Sequence, residues 1–232
     1  MLKRICCHAL TLLSLVFMLH GAALAQAEKR AAHSILIDNT GSLRTQFAEV
    51  QAIGQGTVRR LHKSGPISLF NFMTTGSPKN SIAQAMPGVE WSEDESALDR
   101  YIEDLYVVAG QTTLLDAINA MAERLNAKAA AEKDAYAAKN IILITDGENR
   151  TSQIKEKQLI KALKESGIRV YAVGLVQELD DEPSIMLGKS KKGAAIDFLK
   201  RITKETGGRV VFPKGKQHRE ALLDELCAGL AH

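Results

Sequence analysis

The chain has 232 residues, with 30 Lys and Arg against 27 Asp and Glu. So even a balance gives no electrostatic reason to expect nucleic acid or an anionic membrane as a partner. Three cysteines, two of them adjacent near the start, cannot supply a disulfide framework.

Lys3 and Arg4 precede a mostly apolar stretch from Ala9 to Leu19, and Ala23-Leu24-Ala25 supplies the small-x-small pattern of a signal-peptidase site. Residues 1–25 are therefore expected to be a signal peptide, cleaved before Gln26. The apolar stretch is shorter than the ~20 residues a spanning helix needs, so no stable membrane anchor is expected after cleavage. The protein is expected to be exported, to the periplasm or beyond. Residues 26–232 then form one domain, long enough for a proper core. Cys227 is the single remaining cysteine. It shares an apolar helix face with Leu222, Leu223, Leu226 and Leu230, which points to a core thiol.

Ser34 to Asp38 reads as a buried strand, and Leu43, Phe47, Val50, Gly54 and Leu61 mark one face of a long helix. Ile67 to Met73 is a second apolar strand. Residues 80–86, bracketed by Pro78 and Pro87, read as an edge strand. Ser92-x-x-Glu95 has the form of a capping box opening a helix with Leu98, Tyr101, Ile102 and Leu105. Leu114, Ile118, Met121 and Leu125 line the next helix, which the alanine-rich segment 127–139 extends. Ile141 to Thr145 is a third apolar strand. Ser152 is placed as the N-cap of a helix ending at Gly167. A strand from Arg169 to Leu175, a charged loop over 177–192, a helix over 194–206, a short strand over 209–212 and a helix over 220–230 complete the chain.

Apolar strands separated by amphipathic helices imply an α/β fold: a doubly wound, mostly parallel six-stranded sheet with helices on both faces and one antiparallel edge strand. In such sheets ligands sit beyond the carboxyl ends of the strands, where strand order reverses. Asp38 and Asp146 each end a strand at that edge.

Three segments carry the polar groups of interest: Asp38-Asn39-Thr40-Gly41-Ser42, Gly110-Gln111-Thr112-Thr113, and Thr145-Asp146-Gly147-Glu148. Singly, each reads as an ordinary cap or turn. Together, in this order, they resemble the metal-ion-dependent adhesion site of von Willebrand factor A-type domains. Those domains carry Asp-x-Ser-x-Ser after the first strand, a Thr in a turn opening a helix, and Asp-Gly after the fourth strand. Thr40 stands where the pattern has its first Ser; it keeps the hydroxyl and adds a methyl that narrows its rotamers. The closing segment "LKRITKETGGRVVFP" is similar to that of secreted bacterial members, including a group first recognised in acidobacteria.

The resemblance implies a hard dication, Mg2+ or Mn2+, held directly by Thr40, Ser42 and Thr112, with Asp38 and Asp146 acting mainly through water. It also implies an open coordination position for an Asp or Glu of a protein partner, and no catalysis. The donor set suits a small dication, which takes about six oxygens. Asp116, in the first turn of its helix, is expected to act on the helix dipole and not as a ligand. Glu148 is left open between a supporting role and shielding of the open position.

Two alternatives stand beside this reading. The site could be degenerate, leaving a structural or assembly module without metal. "DNTGSLR" is also close to the Asp-Lys-Thr-Gly-Thr-Leu-Thr of haloacid-dehalogenase-type phosphotransferases, in which Asp38 would be the nucleophile. An aspartic protease is excluded, because Asn39 separates Asp38 from Thr-Gly-Ser, the scaffold alternates α and β, and there is no second copy of the motif.

Overall fold

The computed structural model describes residues 30–74, 81–85, 90–133, 135–183, 189–214 and 218–230; the expected signal peptide lies outside them. The chain runs β1 (Arg30–Ile37), a 3-10 turn (Gly41–Gln46), α1 (Phe47–Leu61), β2 (Ile67–Thr74), β3 (Ser81–Ala85), α2 (Glu95–Glu103) and α3 (Leu114–Ala131). It continues through β4 (Tyr136–Thr145), α4 (Glu156–Glu165), β5 (Ile168–Gly174), α5 (Lys191–Glu205), β6 (Val210–Val211) and α6 (Arg219–Cys227).

The sheet order is β3-β2-β1-β4-β5-β6. The five strands β2, β1, β4, β5 and β6 run parallel, and the short β3 pairs antiparallel with β2. Strand order therefore reverses between β1 and β4. Their register sets Ile37 beside Ile144, which brings Asp38 and Thr145-Asp146 to the same point of the carboxyl edge.

Strand residues alternate between two cores. Ile35, Ile37, Ile142 and Ile144 pack under α1, α2 and α6. Leu36, Ile141 and Leu143 pack under α3, α4 and α5. Gly54 lets α1 approach β1, since a Cβ there would stand 2.8 Å from Ile37 Cδ1. Cys227 is partly buried against the first core, and burial raises its thiol to about 11, in keeping with a core thiol.

Several boundaries differ from the sequence expectation. The 92–95 capping box is not formed as read: Asp94 caps α2 by accepting from Ala97 N at 3.2 Å. Ser152 does not cap α4, which begins at Glu156 with Lys155 at the N-cap. The segment expected to extend α3 leaves the helix at Ala131, and β4 starts at Tyr136. The early part of β4 gains backbone partners in β1 and β5, and that pairing outweighs the helical propensity of Ala137 and Ala138.

Candidate metal centre

Asp38 and Asp146 are both fully buried. Asp38 Oδ1 accepts from Thr40 N at 3.0 Å and from Thr40 Oγ1 at 2.7 Å, while Asp38 Oδ2 accepts from Thr145 Oγ1 at 2.6 Å. Asp146 Oδ1 accepts from Glu148 N at 2.8 Å, and the Ser42 hydroxyl donates to the same carboxylate. Thr40 Oγ1 and Ser42 Oγ lie 3.4 Å apart. Asp38, Thr40, Ser42 and Asp146 therefore form one hydrogen-bonded group. Thr40 occupies the N-cap of the 3-10 turn, yet its side chain makes no capping bond, so the hydroxyl is spent on Asp38 and not on the helix.

Thr112 is buried at the same edge. Its carbonyl accepts from Arg150 N at 2.9 Å, tying the turn before α3 to the loop after β4. Among the described residues, no side-chain hydrogen bond joins Thr112 to the other four.

Burial without a facing cation raises the affinity of both acids for protons. Desolvation is the largest cause at Asp38, followed by the Asp146 charge; hydrogen bonds from Thr145 and Thr40 oppose it. At Asp146 desolvation again leads, opposed by Ser42 and the Glu148 amide. Asp146 Oδ2 is buried and, among the described residues, has no hydrogen-bond partner. An unpaired buried carboxylate oxygen is costly unless something positive completes it. Two carboxylates among hydroxyls match the donor set of a small hard dication. Among the described residues, no three His, Cys, Asp or Glu gather as a metal cluster, so any ion here would depend on those hydroxyls.

The surrounding loops are built by residues that sequence reasoning passed over, such as Asn39 and Thr145, or gave other roles, such as Ser152. Asn39, buried, accepts from Phe72 N at 2.8 Å and donates to Tyr106 O at 2.9 Å, fixing the turn after β1 to its neighbours. Thr145 Oγ1 accepts from Gly147 N at 3.0 Å while donating to Asp38, so it bridges both aspartate turns. Gly147 has φ +80°, and a Cβ there would meet Leu199 at 3.0 Å, so the turn after Asp146 requires glycine. Ser152 Oγ accepts from Leu115 N at 3.1 Å and Asp116 N at 3.3 Å, capping α3 from across the chain. Asp116 does sit in the first turn of α3, but its carboxylate accepts from Gln153 N and Ile154 N, so it also fastens the loop after β4. Glu148 pairs with Arg150 at 2.9 Å. The only signal for these roles in the sequence was the density of Asn, Ser, Thr and Asp in short loops.

A family model for the von Willebrand factor type A domain matches residues 34–213. The chain belongs to the von Willebrand factor type A domain family. The match spans all six strands of this vWA domain and the three segments that meet at the carboxyl edge. Among solved structures, the chain is similar to BatB from Bacteroides thetaiotaomicron, at 16% identity and a TM-score of 0.55, over 86% of this chain and 98% of that one. It is similar to the pilus adhesin SpaC from Lactobacillus rhamnosus GG, at 13% identity and a TM-score of 0.59, over 89% of this chain and 30% of that one. It is also similar to the manganese-loaded TRAP protein of Plasmodium vivax, at 15% identity and a TM-score of 0.53, over 85% of this chain and 73% of that one. At these identities the likeness is one of fold. No curated protein matches the chain in sequence.

Proposed function

We propose that this vWA domain is an exported adhesion or assembly module that binds one divalent cation, Mg2+ or Mn2+, and recognises an acidic side chain of a partner protein through it. Residues 1–25 serve as the cleaved signal and residues 26–232 as the single functional domain. Thr40, Ser42 and Thr112 would hold the ion directly, and Asp38 and Asp146 mainly through water. Bound there, the ion offers a net positive charge and an open position for a carboxylate. The chain's own part is to keep the two aspartates away from water, to aim the hydroxyls, and to hold the three loops at a fixed spacing; the cation would favour the ionised form that burial alone opposes.

One observation carries the reading: two fully buried aspartates stand together, and Asp146 Oδ2 has no hydrogen-bond partner among the described residues. A fold without a ligand at this point has little reason to keep that arrangement, since removing the charge would relieve it. The degenerate-module reading predicts a neutral or filled site instead. The phosphotransferase reading fits poorly, because both oxygens of Asp38 are occupied by Thr40 and Thr145 and the carboxylate is inaccessible. Recognition without catalysis is the function proposed. A manganese-loaded relative of the same fold makes the choice of ion plausible in kind. Growth of crystals in Mg2+, followed by inspection for octahedral density between Thr40, Ser42 and Thr112, tests the site; featureless density there contradicts it.

A further inference from the structure

The near-neutral composition conceals a division of charge between the two faces of the sheet. Counted with their capping residues, α3, α4 and α5 carry eleven Lys or Arg and seven Asp or Glu. On the opposite face, α1, α2 and α6, counted the same way, carry four Lys or Arg and nine Asp or Glu. The two excesses are opposite in sign, and the basic one lies on α4 and α5, which carry nine Lys or Arg against four Asp or Glu.

The basic face is shaped as well as charged. Between α4 and α5 lies a hollow of about 480 Å³, lined by Ile160, by Lys157, Lys161, Lys164 and Arg201, and by Glu165 and Glu205. These four cations are exposed, as are Lys200 and Lys204 just beyond. Some are partly neutralised, Lys161 by Glu165, Lys164 by Glu205 and Arg201 by Glu156, as Glu220 and Asp224 are by Arg60 on the opposite face, but the excess on each face remains. Across the sheet, Glu103 and Asp104 at the end of α2, and Glu220, Asp224 and Glu225 on α6, are exposed.

We propose that the α4–α5 face of one molecule docks on the α1–α2–α6 face of a second copy of this chain. A partner that was simply an anionic surface would account for the basic face and leave the acidic one unexplained. A second copy accounts for both. Because two different faces meet, the contact is head-to-tail. It propagates into a ring or a filament and does not close as a two-fold dimer. Neither face includes the carboxyl edge where Asp38 and Asp146 lie, so association proceeds with or without a divalent cation. The attraction acts between exposed charges and is screened within about 8 Å at physiological salt, so it weakens steeply as salt rises.

Sedimentation velocity of the purified protein over a concentration series, in ~20 mM and ~500 mM NaCl and with Mg2+ or EDTA, tests this directly. The weight-average mass is expected to climb above the monomer with concentration at low salt, to return to the monomer at high salt, and to ignore Mg2+. The triple variant K157E/K161E/K200E is expected to stay monomeric, and so is E103K/D104K/E225K. Mixing the two variants, one now acidic on both faces and the other basic on both, is expected to restore association. Circular dichroism confirms that each variant is folded. A wild-type protein that is monomeric throughout at low salt overturns the proposal. So does either variant associating like wild type, or a mixture that stays monomeric. Sedimentation with vesicles containing phosphatidylglycerol separates the rival partner. Pull-down that needs only the basic face, from a protein that does not self-associate, also overturns the proposal.

Discussion

Thr145 Oγ1 donates to Asp38 Oδ2 across the β1–β4 boundary at 2.6 Å and accepts from Gly147 N at 3.0 Å. One hydroxyl at the end of β4 thus holds the carboxylate that ends β1 and shapes the turn that follows Asp146. The two aspartate loops are a single mechanical unit, joined by a residue that is in neither aspartate position.

Replacing Thr145 with Val keeps the shape and removes both bonds. It leaves the Gly147 amide and an Asp38 oxygen buried without partners. A loss of about 2–4 kcal/mol in urea unfolding is expected, since each orphaned buried group costs ~1–3 kcal/mol. Cation-dependent stabilisation is expected to weaken in parallel. A variant as stable as wild type, with unchanged response to Mn2+, contradicts this role for Thr145.

Asp146→Asn should act in two opposite directions. Without divalent ions it removes a buried charge beside Asp38, which desolvation already disfavours, and raises stability. With Mg2+ or Mn2+ it should show no further stabilisation, whereas wild type gains. Thermal melts in EDTA and in excess Mg2+ read both effects. Parallel gains in the two proteins would show that Asp146 has no part in holding an ion.

Asp116→Ala separates loop support from metal contact. Its carboxylate receives the Gln153 and Ile154 amides at 2.9 and 3.0 Å. Losing them should cost about 1–3 kcal/mol of stability, while one cation still binds, more weakly by a small factor. Hydrogen exchange over residues 149–155 should quicken. Complete loss of cation binding in this variant would make Asp116 part of the site itself.

The proton dependence of stability is expected to trace in part to His33. This residue is buried at the far end of β1, with Nε2 2.9 Å from Ser64 Oγ, and burial, aided by the Arg169 charge, lowers its pKa to about 4. Between pH 6.5 and 4 the unfolded chain binds a proton that the folded chain refuses, so stability falls as pH drops through that window and levels off below it. The loss should be on the order of 3 kcal/mol, from about 2.5 pH units at 1.36 kcal/mol each. The difference in unfolding free energy between wild type and His33→Gln, followed from pH 7 to pH 4, measures it. A difference that does not change with pH removes His33 from the account.

Much of the architecture was legible because β1, β2, β4 and β5 carry continuous apolar runs, and those of β1 and β4 end abruptly at Asp38 and at Thr145-Asp146. Asp38 and Asp146 could be placed at one edge on that ground alone. The misread positions share a cause. Ser152 has the local look of a helix cap, and it does cap a helix, but α3 and not the helix that follows it. Tyr136 to Asn140 look helical by composition and are drawn into the sheet by partners more than a hundred residues away in β1. Asn39 and Thr145 resemble any turn or strand-end residue until their partners, Tyr106 and Asp38, are known. Long-range hydrogen bonds leave no periodic mark in a sequence.

Isothermal titration of Mg2+ and Mn2+ into EDTA-stripped protein tests the central claim most directly. The account predicts one ion per chain for wild type, and no saturable binding for Asp38→Ala or Asp146→Ala, both checked as folded by circular dichroism. Absence of a one-to-one isotherm in the wild-type protein, or an unchanged isotherm in the two variants, would contradict it.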